Sequence, residues 1–147
     1  MKLRLLPAVL GMLGLAVSLP AHAETPPAPV SVHRVVFELN TDNPAAWNGV
    51  LNNLQNTQKR FGVDNTELEL VAHGPGIGIM LKSNQAQAAR MESLSKQHIT
   101  FAACHNTMEA KHIRNEDLLP FVTVVPSGVG EVILKQEAGW VYIKAGF

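Results

Sequence analysis

The chain has 147 residues, with 12 lysines and arginines against 12 aspartates and glutamates, and a single cysteine. This length supports one domain of ordinary size and leaves no room for a second large domain. Hydrophobic residues make up 46% of the chain and charged residues 16%, which excludes a disordered tail and a strongly basic nucleic-acid binder. The lone cysteine excludes a disulfide within the chain and a cysteine-rich zinc site.

The N-terminus has the pattern of a Sec-type signal peptide. Lys2 and Arg4 precede an apolar run over 5–19, and a small-residue triplet ends at Ala23. We therefore expect cleavage after Ala23, with 1–23 as the signal peptide. The apolar run holds about 15 residues, short of the roughly 20 needed to span a bilayer, so an uncleaved membrane anchor is the less favoured alternative.

Cleavage changes the charge and the compartment expected of the chain. The remaining 124 residues carry 10 basic and 12 acidic side chains. We expect a soluble, exported protein that binds neither nucleic acid nor, after cleavage, a membrane. The signal fits a bacterial periplasm. A eukaryotic secretory signal has the same pattern, but the mature chain has no Asn-x-Ser/Thr acceptor, which agrees with the bacterial location.

The mature chain alternates strand and helix patterns. The proline-rich segment 24–31 predicts an extended lead-in before a domain spanning 32–147. Strands are predicted at 33–39, 67–72, 99–103, 121–125 and 140–144. Helices are predicted from the Asn43 cap and Pro44 to Gly62, at 85–95, at 106–113, and from 128 to a stop at Gly139. A glycine loop and an apolar stretch, 77–82, separate the second strand from the second helix.

This alternation predicts a three-layer α/β/α domain with a mostly parallel five-stranded sheet. Ligands of such sheets bind outside the carboxyl ends of the strands. The loops that follow the first four strands should therefore converge on one rim. The candidate rim residues are Asn40, Gly74, Gly76, Asn106, Thr107 and Ser127, with His73, Cys104 and His105 beside them.

Cys104 is the candidate reactive residue. It lies where a predicted strand gives way to a predicted helix N-terminus, whose free N–H groups stabilise a thiolate. His105 or His73 could lower the pKa of the thiol further as a positive neighbour. A thiolate of low pKa can attack a disulfide or polysulfide and carry sulfur as a persulfide. The alternative is a buried cysteine that only fills a gap in the core.

The other motifs favour structural interpretations. The loop 74–78 lacks the Gly-x-Gly-x-x-Gly spacing of dinucleotide sites, and a tight turn with positive φ angles explains its glycines better than an anion site does. The histidines show no recognised metal-ligand spacing, and no Cys-x-x-Cys-His or His-Glu-x-x-His motif is present. We expect no metal and no cofactor.

Several segments in combination resemble the DsrE/DsrF-like family. They are Phe101-Ala-Ala-Cys-His-Asn-Thr-Met108, Asp117-Leu-Leu-Pro120, Val124-Val-Pro-Ser-Gly-Val129, Gln136-Glu-Ala-Gly-Trp-Val-Tyr-Ile-Lys144 and Gly76-Ile-Gly-Ile-Met80. The resemblance covers the chain from about Val32 onward and implies a parallel α/β domain that forms homo-oligomers. The best-understood relatives relay sulfur through a cysteine persulfide. By this resemblance, Cys104 is the sulfur-accepting position. The resemblance also implies that the partners are proteins that donate or accept sulfur.

Two functions from different classes follow from these observations. The first is an exported sulfur carrier or thiol-relay protein that uses Cys104. The second is a non-catalytic protein that binds a small ligand or takes part in an assembly, with Cys104 as a packing residue. The two differ in the reactivity that they predict for the thiol in the folded protein.

Overall fold

The computed structural model describes residues 31–146. The predicted signal peptide, and the proline-rich lead-in apart from Ser31, lie outside the described residues. The strands are β1 His33–Leu39, β2 Thr66–Ala72, β3 Ile99–Cys104, β4 Val122–Val125 and β5 Val141–Ala145. The α-helices are α1 Pro44–Phe61, α2 Gln85–Ser95, α3 His105–Ala110 and α4 Gly128–Glu137. Three 3-10 helices, Val63–Asn65, Gly74–Met80 and Asn115–Asp117, lie between them.

The five strands form one sheet in the order β4-β3-β2-β1-β5, and every pairing between them is parallel. The predicted three-layer α/β/α architecture is confirmed. From β1 to β4 the chain steps in one direction, and it then returns past β1 to place β5 on the far side. Right-handed crossovers put the connections of the outward steps on one face and the returning connection, α4, on the other.

Two apolar clusters of different size follow from this topology. The larger lies between the sheet and α1, α2, α3 and the 3-10 helix Gly74–Met80, and includes Phe37, Leu54, Leu70, Met91 and Phe101. The smaller lies under α4 and consists of Val36, Val71, Ala102 and Val132. Because side chains alternate along a strand, the residues of β1 to β3 divide between these two clusters. The face under α4 is the one that carries the polar residues described below.

Local sequence signals account for most element boundaries. Asn43 caps α1, since its Oδ1 accepts a 2.9 Å hydrogen bond from the N–H of Ala45, and Pro44 occupies the first helical position. The third predicted helix, 106–113, is shorter in the structure. It ends at Ala110, and His112 follows with a φ of 54°, a left-handed conformation that an α-helix does not accommodate.

None of the helices within residues 31–146 is both long enough and apolar enough to cross a lipid bilayer.

Candidate functional site

The carboxyl ends of β2 and β3 meet the N-terminus of α4 at one rim of the sheet. Helix α4 begins beyond the edge strand β4 and must cross β3, β2 and β1 to reach β5. Its first residue, Gly128, therefore passes directly over the strand ends that carry His73 and Cys104. The returning crossover, and not sequence proximity, brings these three residues together.

Cys104 is the last residue of β3 and the N-cap residue of α3. It is a free thiol, and only 5% of its surface is exposed. Its side chain lies on the sheet face covered by α4, because it follows Ala102 by two positions on β3. The predicted strand-to-helix position is confirmed, while the thiol is more buried than a rim position alone implies.

Burial raises the pKa of the Cys104 thiol, but hydrogen-bond donors around the sulfur outweigh it and hold the pKa below its ordinary value. These donors are the Thr107 hydroxyl and the backbone N–H groups of Gly128, Thr107 and Asn106. The sulfur makes no close capping hydrogen bond to α3, so the donors act together as dipoles around it. They come from the N-termini of two helices, α3 and α4, which favour a negative charge between them.

Thr107 connects the cysteine to the glycine loop. Its Oγ1 accepts a 3.0 Å hydrogen bond from the N–H of Gly74. With that acceptor position used, the hydroxyl proton is free to point at the sulfur of Cys104. The Gly74 N–H thus helps to orient the side-chain donor that lowers the pKa of the thiol.

Gly128 is the contact point between His73 and Cys104. A Cβ atom on Gly128 would lie 2.9 Å from the Cβ of His73 and 3.1 Å from the Cβ of Cys104. Both distances are shorter than ordinary carbon–carbon contacts. Only a residue without a side chain allows α4 to approach the two strand ends this closely.

His73 belongs to a chain of polar side chains that runs across the sheet under α4. Its Nε2 lies 2.7 Å from Oε1 of Glu38, and the hydroxyl of Tyr142 donates to the other carboxylate oxygen, Oε2. Burial raises the pKa of Glu38, but hydrogen bonds from Tyr142 and His73 and the charges of His73 and Lys144 leave it lowered overall. The hydrogen bond from Tyr142 to Glu38 is the main reason that the pKa of Tyr142 is raised to about 12. Burial and the negative charge of Glu38 contribute as well.

The other candidate rim residues have identifiable contacts. Asn40 packs over Gly74, whose φ is 50°, and a Cβ on Gly76 would lie 2.3 Å from the carbonyl oxygen of Leu39. Positive φ thus explains Gly74, whereas Gly76 is required by close packing. Ser127 caps α4, because its Oγ accepts a 3.1 Å hydrogen bond from the N–H of Gly130.

His105 and His73 are placed differently. The Nδ1 of His105 lies 3.6 Å from a carboxylate oxygen of Glu109, one turn further along α3, and the side chain is half exposed. His73 instead lies against Gly128 beside Cys104. Of the two histidines proposed to stabilise a thiolate, the structure brings His73 towards the sheet face that holds the sulfur.

Sequence reasoning missed Glu38 and Tyr142. The signal for Glu38 was a carboxylate near the end of a strand whose other residues are mainly apolar. Its partner Tyr142 lies 104 positions later, and the two meet only because β5 pairs with β1. Among residues 31–146, no three His, Cys, Asp or Glu side chains are grouped as they would be around a metal ion.

The comparisons with known proteins agree with this architecture. The model of the DsrE/DsrF-like family matches residues 35–145. The chain belongs to the DsrE/DsrF-like family. No curated protein matches the chain.

Three solved structures resemble this family member. A protein of unknown function from Methanobacterium thermoautotrophicum is 30% identical with a TM-score of 0.72, and the match covers 76% of this chain and 98% of that one. The ychN protein of E. coli is 12% identical with a TM-score of 0.63, with coverages of 78% and 98%. A conserved protein of unknown function from Bacteroides thetaiotaomicron is 17% identical with a TM-score of 0.60, with coverages of 76% and 93%. The last two establish a shared fold.

Proposed function

We propose that this DsrE/DsrF-like protein is an exported sulfur carrier or thiol-relay protein, in which Cys104 accepts a sulfur atom as a persulfide. The observation that carries the proposal is the set of donors around Cys104. One hydroxyl and three backbone N–H groups lower the pKa of a thiol that burial alone would raise. Packing of a structural cysteine needs no such set of donors. Membership of the DsrE/DsrF-like family supports a role in sulfur relay.

The proposed reaction is a transfer of sulfane sulfur without net oxidation. The thiolate of Cys104 attacks the outer sulfur of a persulfide donor, R–S–SH. A new bond forms between Sγ and that sulfur, the S–S bond of the donor breaks, and the donor leaves as R–S⁻, which takes up the proton that the Cys104 thiol lost. The product is Cys104–S–SH, and the reverse reaction with an acceptor thiolate returns the cysteine to its resting form.

The sequence supports a compartment and partner proteins for the proposed reaction. The signal-peptide pattern over 1–23 supports action in the periplasm, and family membership supports a homo-oligomer that exchanges sulfur with donor and acceptor proteins. Burial of the thiol fits a carrier, because a persulfide shielded from bulk solvent meets fewer competing thiols.

Mass spectrometry of the intact protein tests the proposal. Treatment with sulfide plus polysulfide, followed by removal of the reagent, should add the mass of one sulfur atom to the wild type. Because Cys104 is the only cysteine, Cys104→Ser is a complete control and should gain nothing. A wild type that gains no sulfur, or a Cys104→Ser variant that gains as much, would refute the proposed function.

The second candidate function is a non-catalytic binding or assembly protein in which Cys104 only packs. The 5% exposure of Cys104 is the observation that favours it. This alternative expects a thiol that resists alkylation in the folded protein. It also expects Cys104→Ala to leave the fold and any partner binding intact, since alanine removes the sulfur without adding volume.

A further inference from the structure

Glu38 fixes the protonation pattern of the His73 imidazole. Hydrogen bonds from Tyr142 and His73 keep the Glu38 carboxyl ionised at neutral pH, and a carboxylate only accepts hydrogen bonds. The 2.7 Å contact between Nε2 of His73 and Oε1 of Glu38 therefore requires a proton on Nε2. In the neutral imidazole, Nδ1 then carries the free lone pair.

Burial and a second partner make this arrangement well defined. The side chains of His73 and Glu38 are only 14% and 19% exposed. The hydroxyl of Tyr142 binds the second carboxylate oxygen, so that both oxygens of Glu38 are held. A surface histidine would lose such a preference to competing water.

His73 and Cys104 lie against the same residue of α4, Gly128. The Cβ and Cγ atoms of His73 and the Cβ atom of Cys104 lie 2.9, 3.4 and 3.1 Å from the point where Gly128 would carry a side chain. The charged and titratable groups that face this region are Glu38 from β1, Lys144 and Tyr142 from β5, and Cys104 from β3. Helix α4 contributes the backbone N–H of Gly128.

We propose that Glu38 is a positioning residue that presents Nδ1 of His73 as the proton carrier for sulfur exchange at Cys104. The inference rests on the proposed function and adds the fate of the proton. Nδ1 takes the proton of the Cys104 thiol before the thiolate attacks the persulfide donor. After the S–S bond of the donor breaks, the imidazolium returns that proton to the departing R–S⁻, so that no charge remains on either partner. Tyr142 helps to keep Glu38 in this position, because its hydroxyl donates a hydrogen bond to the second carboxylate oxygen of Glu38.

Nitrogen NMR of the uniformly labelled full chain tests the positioning step. In the wild type, His73 should show a protonated Nε2 and an unprotonated Nδ1, and His73→Gln identifies its signals. Glu38→Gln should produce a mixture of the two tautomers, because a neutral amide can donate as well as accept. The control Glu67→Gln, whose exposed carboxylate pairs with Arg34 at 3.0 Å, should leave the His73 signals unchanged. A proton on Nδ1 of His73 in the wild type would overturn the inference without the use of any variant.

The rate of sulfur uptake from cysteine persulfide tests the proton-carrying step. His73→Gln should lower the rate at neutral pH by roughly 100-fold, the low end of what general acid–base groups contribute, and should change the pH profile of the rate. Glu38→Gln should lower it less. His33→Gln is the matched histidine control, since His33 stacks on Phe61 at the opposite end of β1, and its rate should match the wild type.

The outcomes separate the two proposals. Sulfur uptake at an unchanged rate and pH profile in His73→Gln overturns the role of His73 and Glu38 and leaves the proposed function standing. A wild type that takes up no sulfur overturns both.

Discussion

The N–H of Gly74 donates a 3.0 Å hydrogen bond to Oγ1 of Thr107, and so connects the loop after β2 to the first turn of α3. This bond uses an acceptor position of the hydroxyl and leaves its proton for the sulfur of Cys104. The lowered pKa of the Cys104 thiol therefore depends in part on a contact between two other residues, Gly74 and Thr107.

Thr107→Val should raise the pKa of Cys104, because it removes the hydroxyl donor that favours the thiolate. The alkylation rate of the native protein at pH 7 should then fall, since a smaller fraction of the thiol is ionised at that pH. Thr107→Ser keeps the hydroxyl and is the matched control. An equal change in the serine and valine variants would show that the methyl group, and not the hydrogen bond, is what matters.

Gly128→Ala should destabilise the protein by about 1–3 kcal/mol, the usual cost of an extra methyl group in a packed site. The added Cβ meets the Cβ atoms of both His73 and Cys104 at about 3 Å. Gly49→Ala in α1 is the control, since no atom lies within 4 Å of its Cβ position. It should raise the free energy of unfolding by about 0.5–1 kcal/mol. Urea unfolding of both variants measures the contrast, and similar losses in the two would contradict the packing argument.

Lys135→Met should destabilise the protein by about 3 kcal/mol near pH 8, because it leaves the buried carboxylate of Glu69 unpaired. Glu69 is 3% exposed, and its carboxylate lies 2.6 Å from Nζ of Lys135. Burial already raises the pKa of Glu69 despite the lysine. A pKa raised in the folded state means that folding takes up protons between the unfolded and folded pKa values, so stability increases as the pH falls through that range.

The loss in Lys135→Met should therefore be smaller at pH 5 than at pH 8, as measured by urea unfolding at both values. Lys96→Met is the control, since Lys96 pairs with Glu92 on the exposed surface of the protein, and its stability should stay close to that of the wild type. A loss in Lys135→Met that does not depend on pH would contradict the burial of an ionised Glu69.

Tyr142 should ionise with a midpoint near 12 in the folded protein, as the raised pKa requires. It is the only tyrosine in the chain, so the ultraviolet absorbance of the phenolate reports on it alone. The absorbance is read immediately after a pH jump, before unfolding. Glu38→Gln should bring the midpoint towards 10, the ordinary value of a tyrosine. A wild-type midpoint near 10 would show that the hydroxyl does not bind Glu38.

The sequence was sufficient for the elements whose signals are local. β1 lies at its predicted residues, 33–39, because a β-rich run is followed within a few residues by a helix cap at Asn43. β3 runs one residue further than predicted, to Cys104, because it pairs with Val125 on β4. The helix after Cys104 ends at Ala110 and not at the predicted residue 113, since His112 takes a left-handed conformation.

The sequence was not sufficient for contacts that depend on strand order. The rim residues could be predicted because all strands of a parallel sheet end on one side. Neither Gly128 as the contact between His73 and Cys104 nor Tyr142 as a partner of Glu38 could be predicted. Both depend on the position of β5 beside β1, which determines the face that α4 covers. Side-chain alternation divides a strand into two faces but does not say which face a distant helix will cover.

The pH dependence of Cys104 alkylation in the native full chain is the most direct test of a stabilised thiolate at this site. We predict a single reactive thiol whose rate rises with a midpoint below the ~8.5 of a free cysteine, because donors from α3 and α4 stabilise the thiolate. A thiol that resists alkylation until the protein unfolds, or one whose midpoint lies at or above ~8.5, would contradict it.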